Sequence, residues 1–454
     1  MKIKYYLALL VSVLFSNNSF AQNATFTDHD FIPTTNVSII SEFQTAVYHN
    51  GYVFVATTKG VWKNNISTQV WELSGLQDKK ITCIYKHQGV ANKLFAGALI
   101  DNNNSDPLFI SSDGGNTWVA ASNPVSETYS NIVARPNNPN HLYAAPNNYN
   151  FMVSTDGGNN WVYANGGSGG MLGYSVNLAF IPSNANLLFY GSENPLDDAR
   201  LDRYNIDVTN PTQLIHRTVI VSNNIWGNRR PDKLHTYTYT GNYIYVGQEG
   251  ALSKVNTNNI NDVTYIYKSE GEPNKPYSYM YGHWTDPNNI NHLVFGGNIN
   301  GNNTGLMQLY ETNDEGVTFY RYTQTFGVDA PMIRDIVEIT PTKLAVIIND
   351  QYNNRVKLVV MEPESLSYNN NELWQKNIHI YPNPANNFIT VSSQNNDEML
   401  VSIYNSLGIR MMNEIKINSD EVISLQKIPN GIYFAKIIIG DKTVVKKIVL
   451  KNNK

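Results

Sequence analysis

The chain has 454 residues, more than one ordinary core holds but comfortable for a repeat domain followed by a small second domain. Charged residues make up 15% and the formal net charge is −4, which excludes the basic footprint of a nucleic-acid-binding surface. A single cysteine, Cys83 in the apolar run ITCIYKH, excludes an internal disulfide and a thiolate metal site, so it reads as a buried strand residue.

The chain opens on a basic start, MKIKYY, an apolar stretch, LALLVSVLF, and the small residues Ser19 and Ala21. This is the pattern of a secretory signal peptide over residues 1–21, with cleavage before Gln22. The apolar stretch is too short to span a bilayer, and no later segment supplies eighteen apolar residues in a row, so no transmembrane segment is expected. The following stretch, ATFTDHDFIPT, belongs to no repeat.

From there a short apolar strand recurs: YVFVATT from Tyr52, LFAGA from Leu94, LYAAP from Leu142, LLFYGSE from Leu187, YIYVGQE from Tyr243, LVFGGN from Leu293 and LAVIIN from Leu344. The starts lie about 42 to 56 residues apart, the period of a four-stranded propeller blade. An inner strand and an Asn/Pro turn precede several copies, as in NIVARPNNPNHLYAA and GHWTDPNNINHLVFGG. The expectation is an all-β chain: a seven-bladed β-propeller over residues 22–368, with six or eight blades as neighbouring solutions. The last unit lacks a fourth strand after VKLVVME, so the N-terminal segment is expected to supply it and close the ring.

Within this period an eight-residue turn repeats: SSDGGNTW at Ser111, STDGGNNW at Ser154 and a looser TNDEGVTF at Thr312. These turns resemble the Asp-box, or BNR repeat, of sialidases, sortilin-type receptors and related propellers. The resemblance implies that Ser111, Asp113, Gly115, Thr117, Trp118, Ser154, Asp156, Gly158, Trp161, Asp314, Gly316 and Phe319 are structural, on the face away from the ligand. Turn chemistry agrees, because an aspartate can accept the N–H groups of its own turn and glycines supply angles that side chains forbid.

Long segments interrupt the middle of the ring: GSENPLDDARLDRYN, VSNNIWGNRRPDKLH and KSEGEPNKPYSYMYGHW. They carry Glu193, Asp197, Asp198, Arg200, Arg203, Trp226, Arg229, Arg230, His235, Tyr279, Tyr281, His283 and Trp284, expected on loops. Aromatic planes stack on sugar rings and arginines grip carboxylates, so these residues are the candidate ligand site for a glycan or a surface protein. A sialidase is disfavoured, since DFIP (Asp30–Pro33) lacks the arginine of that family's early signature. A glycosidase pair from Asp197 or Asp198 with Glu272, or a lyase set of Tyr279, Tyr281, His235 and Arg229, is chemically open, though no motif selects either. No HExxH, phosphate loop or spaced-Asp calcium loop occurs, so neither metal nor cofactor is expected. A scaffold without a small ligand is the third reading.

After a linker at 369–377, residues 378–454 change texture. YPNPANN (Tyr381–Asn387), IYNSLGIRM (Ile403–Met411) and GIYFAKI followed by KKIVL resemble the type A C-terminal sorting domain of type IX secretion cargo in Bacteroidetes. Alternating apolar residues such as Val401, Ile403, Ile432 and Phe434 fit a small β-sandwich. The resemblance implies that the type IX secretion machinery is a partner and that the mature protein is secreted or held at the outer-membrane surface.

Overall fold

The computed structural model describes residues 24–40, 44–146, 151–165, 174–181, 184–193, 199–222, 231–237, 243–248, 250–268, 278–286, 289–299, 308–363, 378–393, 398–405, 410–439 and 442–451. The chain divides into two compact units, residues 1–363 and 364–454. The first contains, among the described residues, seven four-stranded antiparallel sheets. We number these blades in chain order: blade 1 (46–75), blade 2 (81–120), blade 3 (129–163), blade 4 (174–221), blade 5 (231–268), blade 6 (278–322) and blade 7 (331–362 with Thr25–Phe31). Each first strand touches the first strand of the next blade, and blade 7 returns to blade 1, so the sheets form a closed cycle. This all-β propeller architecture is consistent with the seven units read from the sequence.

The recurring apolar segments are the second strands. Leu94–Ala98 is buried at every position, as are 244–248 in blade 5 and 344–350 in blade 7. A strand covered on both faces by neighbouring blades has no solvent side, so it is apolar throughout rather than alternating. The glycine inside several of these segments has a packing cause. In six of the seven inner strands the pairing with the second strand slips, as between Ile81 and Cys83 or between Ile333 and Asp335. The slip is a β-bulge that pushes backbone toward the preceding blade. A Cβ on Gly97 would stand 2.4 Å from the Tyr129 carbonyl oxygen of blade 3, and one on Gly247 only 2.1 Å from the Met280 carbonyl oxygen of blade 6. Cys83 lies on the same seam, fully buried, and burial pushes its thiol up to about 12.

Blade 7 is completed by the N-terminal segment. Thr25–Phe31 runs antiparallel to Arg355–Glu362, with Thr25 opposite Glu362 and Thr27 opposite Val360. Lys357 reaches Asp28 at 2.7 Å, and Phe26 meets Tyr322 of blade 6 edge-to-face at 5.0 Å. The expected closing strand is therefore present, and the last sheet has no missing edge.

The second unit is a two-sheet β-sandwich. One sheet joins Ile378–Tyr381, Phe388–Ser393 and Glu421–Ser424, and the other joins Arg410–Ile417, Met399–Asn405, Gly431–Ile439 and Lys442–Leu450. Ile389, Val401, Ile403, Ala435, Ile437 and Ile448 form its core. The Asn383 side chain of the YPNP segment donates to the Lys447 carbonyl at 2.8 Å and accepts the Val449 N–H at 2.9 Å, pinning that turn to the last strand.

Candidate functional site

The two ends of the blades have different chemistry. At one end lie the inner-to-second and third-to-outer turns, which include the three Asp-turns. Asp113 Oδ1 accepts the Thr117 N–H at 2.9 Å, the Asn116 N–H at 3.0 Å and the Ser111 hydroxyl at 2.8 Å, while Oδ2 accepts the Thr117 hydroxyl at 2.7 Å. These bonds, those from Thr117 foremost, hold the Asp113 carboxyl down at about 2. Asp156 repeats the pattern with Ser154, Asn159 and Asn160, and Asp314 with Thr312 and Thr318.

Each Asp-turn also docks on the preceding blade. Gly115, at φ +85, leaves no room for a Cβ beside Phe54 of blade 1, and Gly158, at φ +88, none beside Phe95 of blade 2. Trp118 Nε1 donates to the Ser74 hydroxyl of blade 1 at 3.1 Å and Phe319 packs against Tyr267 of blade 5 at 5.8 Å, while Trp161 meets Tyr129 of its own blade edge-to-face at 5.2 Å. The turn backbone joins its own blade too, through Gly114 N–H to Asn92 O, Gly157 N–H to Asn140 O and Glu315 N–H to Asn291 O. Both carboxylate oxygens of each aspartate are spent on holding their own turn, which the glycine and aromatic contacts then seat against its neighbours.

The opposite end carries the second-to-third and outer-to-inner connections, where the ligand residues are expected. Asp197, Asp198, Trp226, Arg229 and Arg230 lie outside the described residues, as does Glu272. Several others sit on strands rather than loops, which corrects the sequence expectation. Glu193 ends the second strand of blade 4, Arg200 and Arg203 belong to its third strand, and His235 lies on the inner strand of blade 5. Tyr279, Tyr281, His283 and Trp284 all lie on the inner strand Ser278–Asp286 of blade 6. Tyr281, His283 and Trp284 are buried there. Their aromatic character answers a packing need: Trp284 stacks edge-to-face on His292 at 5.3 Å and donates Nε1–H to Glu338 at 2.7 Å.

Two groupings do form. Arg334, the bulge residue of the blade 7 inner strand, lies over the Tyr281 ring at 4.8 Å. This cation–π contact places a guanidinium and an aromatic plane together on adjacent inner strands. On blade 4, Asp202 Oδ2 is 3.2 Å from Arg200 Nε and 2.8 Å from Arg217 Nη2. The sequence reading missed Arg334, Asp202 and Arg217. Only the alternation Arg200-x-Asp202 was visible there, because a strand places such residues on one face. Near the ring axis Asp335 Oδ2 accepts the Thr45 and Ala46 N–H groups of blade 1, and Gln44 exchanges two hydrogen bonds with the backbone of Ile132 in blade 3. These contacts fasten blades. Among the described residues no group of three or more His, Cys, Asp and Glu side chains is arranged to hold a metal ion, and no helix is long and apolar enough to cross a membrane.

Comparison with known proteins agrees with this architecture. Residues 379–451 match the family described as the secretion system C-terminal sorting domain. The chain is similar in structure to a GH74 enzyme of Niastella koreensis (TM-score 0.55, 15% identity, 93% of this chain and 66% of that one). It is also similar to a GH74 xyloglucanase from Xanthomonas campestris (TM-score 0.54, 12% identity, 72% of this chain and 52% of that one), of which it spans about half the length. A third similar structure is YCF48 bound to D1 peptide (TM-score 0.50, 12% identity, 74% of this chain and 96% of that one). At these identities the likeness is one of fold. No curated protein sequence matches the chain. The C-terminal domain thus marks the chain as cargo of type IX secretion.

Proposed function

We propose that this protein is an exported Asp-box propeller whose loop face binds a ligand, a glycan first and a protein surface second. The signal peptide at residues 1–21 delivers it to the periplasm, and the sorting domain carries it to the cell surface or the medium. The observation that carries this reading is the division of labour between the two ends of the blades. In blades 2, 3 and 6 the Asp-turns spend their polar groups on internal hydrogen bonds, which favours the end with the second-to-third and outer-to-inner connections for recognition. Trp226, Arg229 and Arg230 in those connections supply the stacking plane and charged donors that a sugar requires.

A second reading, a polysaccharide hydrolase or lyase on the same face, draws on the fold shared with the two GH74 structures. A glycan array probed with the mature protein, followed by product analysis on the best hits, separates the readings. Retention of intact glycans supports the binding module, and shortened or unsaturated products establish the enzyme. Retention of no glycan and of no surface protein leaves a scaffold.

A further inference from the structure

We propose that Arg200 and Arg217, clipped side by side on the buried carboxylate of Asp202, form a site for the carboxylate or sulfate of an acidic sugar. This deepens the ligand-binding reading above and rests on it. The strand Ala199–Ile206 reads ARLDRYNI, and its alternation turns Arg200, Asp202 and Tyr204 to one face. On the neighbouring strand Leu214–Val221 the pairing slips between the Arg203–Thr218 and Asn205–Ile215 pairs, and the extra residue there brings Arg217 to the same carboxylate. Asp202 Oδ2 accepts Arg217 Nε at 3.1 Å and Nη2 at 2.8 Å, and Arg200 Nε lies 3.2 Å away.

Among the described residues two cations share this one anion, which leaves a unit of positive charge over there. A buried carboxylate needs one well-placed guanidinium, and the second is not explained by ion pairing alone. The polar groups around the pair are also unfilled. Asp202 Oδ1, Arg200 Nε and the Tyr204 hydroxyl are buried without a hydrogen-bond partner, Arg200 being too oblique to bond Asp202. Native proteins rarely leave such groups unmet, and three on one strand face call for a ligand or ordered water. Access decides what can enter: the Asp202 side chain is 0% exposed, whereas those of Arg200 and Arg217 are 21% and 32% exposed. An approaching group therefore meets guanidinium N–H donors first. Anionic oxygens satisfy those donors. Asp202 is the positioning residue, since it holds both forks in place.

The test uses the mature full chain in affinity electrophoresis through gels holding polygalacturonate, dextran sulfate or neutral dextran. The inference expects retention by one polyanion, despite the protein's net negative charge, and its loss by about tenfold or more in Arg217→Gln, the scale of a lost charge-assisted pair. Arg217→Gln keeps Arg200 Nε 3.2 Å from Asp202 but removes both hydrogen bonds to that carboxylate, so its melting temperature checks that the fold is intact; Arg200→Gln, which keeps those bonds, is the second variant should Arg217→Gln not fold. Retention by polygalacturonate alone assigns the carboxylate, and by dextran sulfate alone the sulfate. Equal retention of wild type and both variants overturns the site, as does retention by neither polyanion, which leaves only ordered water for these groups. If the protein holds neutral glycans on an array under those conditions, the loop-face reading survives without this site. If it holds no glycan at all, both fall.

Discussion

Gly97 and Tyr129 touch across the seam between blades 2 and 3, where a Cβ on the glycine would stand 2.4 Å from the tyrosine's carbonyl oxygen and 2.8 Å from Cys83 Sγ. No rotamer change relieves a clash with backbone, so the blades must part. Gly97→Ala should lower stability by about 1–3 kcal/mol, the usual cost of overpacking a core. Chemical denaturation of the two proteins measures this. Ala145 takes the corresponding place in blade 3, opposite the Asn131 slip, so a Cβ is tolerated at the next seam, and Ala145→Gly should cost about 1–2 kcal/mol through the lost buried methyl and backbone entropy.

The Asp-turns should behave as fasteners. Asp156→Ala removes the acceptor for Ser154, Asn159 and Asn160 and should cost about 1–2 kcal/mol, the scale of an unmet turn hydrogen bond. Affinity for any array hit should be unchanged. A variant with native stability and no binding would move the ligand to this face.

Acid should loosen the first Asp-turn in a defined window. Asp113 is held at about 2 in the folded protein, below the ordinary carboxylate value of about 3.9 in the unfolded chain. Its stabilising effect is complete above about pH 4 and is lost as pH falls toward 2, because the unfolded state then binds the proton more readily. Melting curves of wild type and Asp113→Asn should converge over that interval. A gap that stays constant down to about pH 2 would deny Asp113 its ionised role.

Much of this fold was legible because its signals are local and repeated. The period of the second strands, the Asp-turn spelling and the lone N-terminal strand each survive in a single sequence. The candidate site was harder to read. Bulges in the inner strands of blades 6 and 7 bring Arg334 over Tyr281, and another in blade 4 brings Arg217 to Asp202, and a bulge has no spelling of its own. Tyr281, His283 and Trp284 looked like loop aromatics because the sequence marks no boundary between a long connection and the strand that follows it. Their burial shows that bulky residues there also serve the packing of blade 6.

Closure by the N-terminal strand gives a further expectation. Deleting residues 22–36 removes the partner of Arg355–Glu362 together with the Asp28–Lys357 ion pair, and exposes a strand edge. The melting temperature should fall by several degrees, on the order of 2 °C for each kcal/mol lost, as expected toward the large end of domain sizes. An unchanged melting temperature would show that the ring does not depend on this strand.

The tail should separate from the propeller in function. A chain ending at residue 368 retains all seven blade sheets and should fold, yet stay in the periplasm of a host that has the secretion machinery. Its appearance in the medium would remove the export role from the sorting domain.

The central claim, ligand binding on the loop face, is tested most directly by measuring affinity for the best array hit in three proteins: wild type, Trp226→Ala with Arg229→Lys, and Asp156→Ala. Trp226→Ala should contribute a loss of about 1–3 kcal/mol, as for a buried aromatic anchor, and Arg229→Lys should hurt an acidic ligand more than a neutral one. Asp156→Ala, at the other end of the blades, should bind as wild type does. Equal affinity of wild type and the loop-face double variant for every hit would contradict the account.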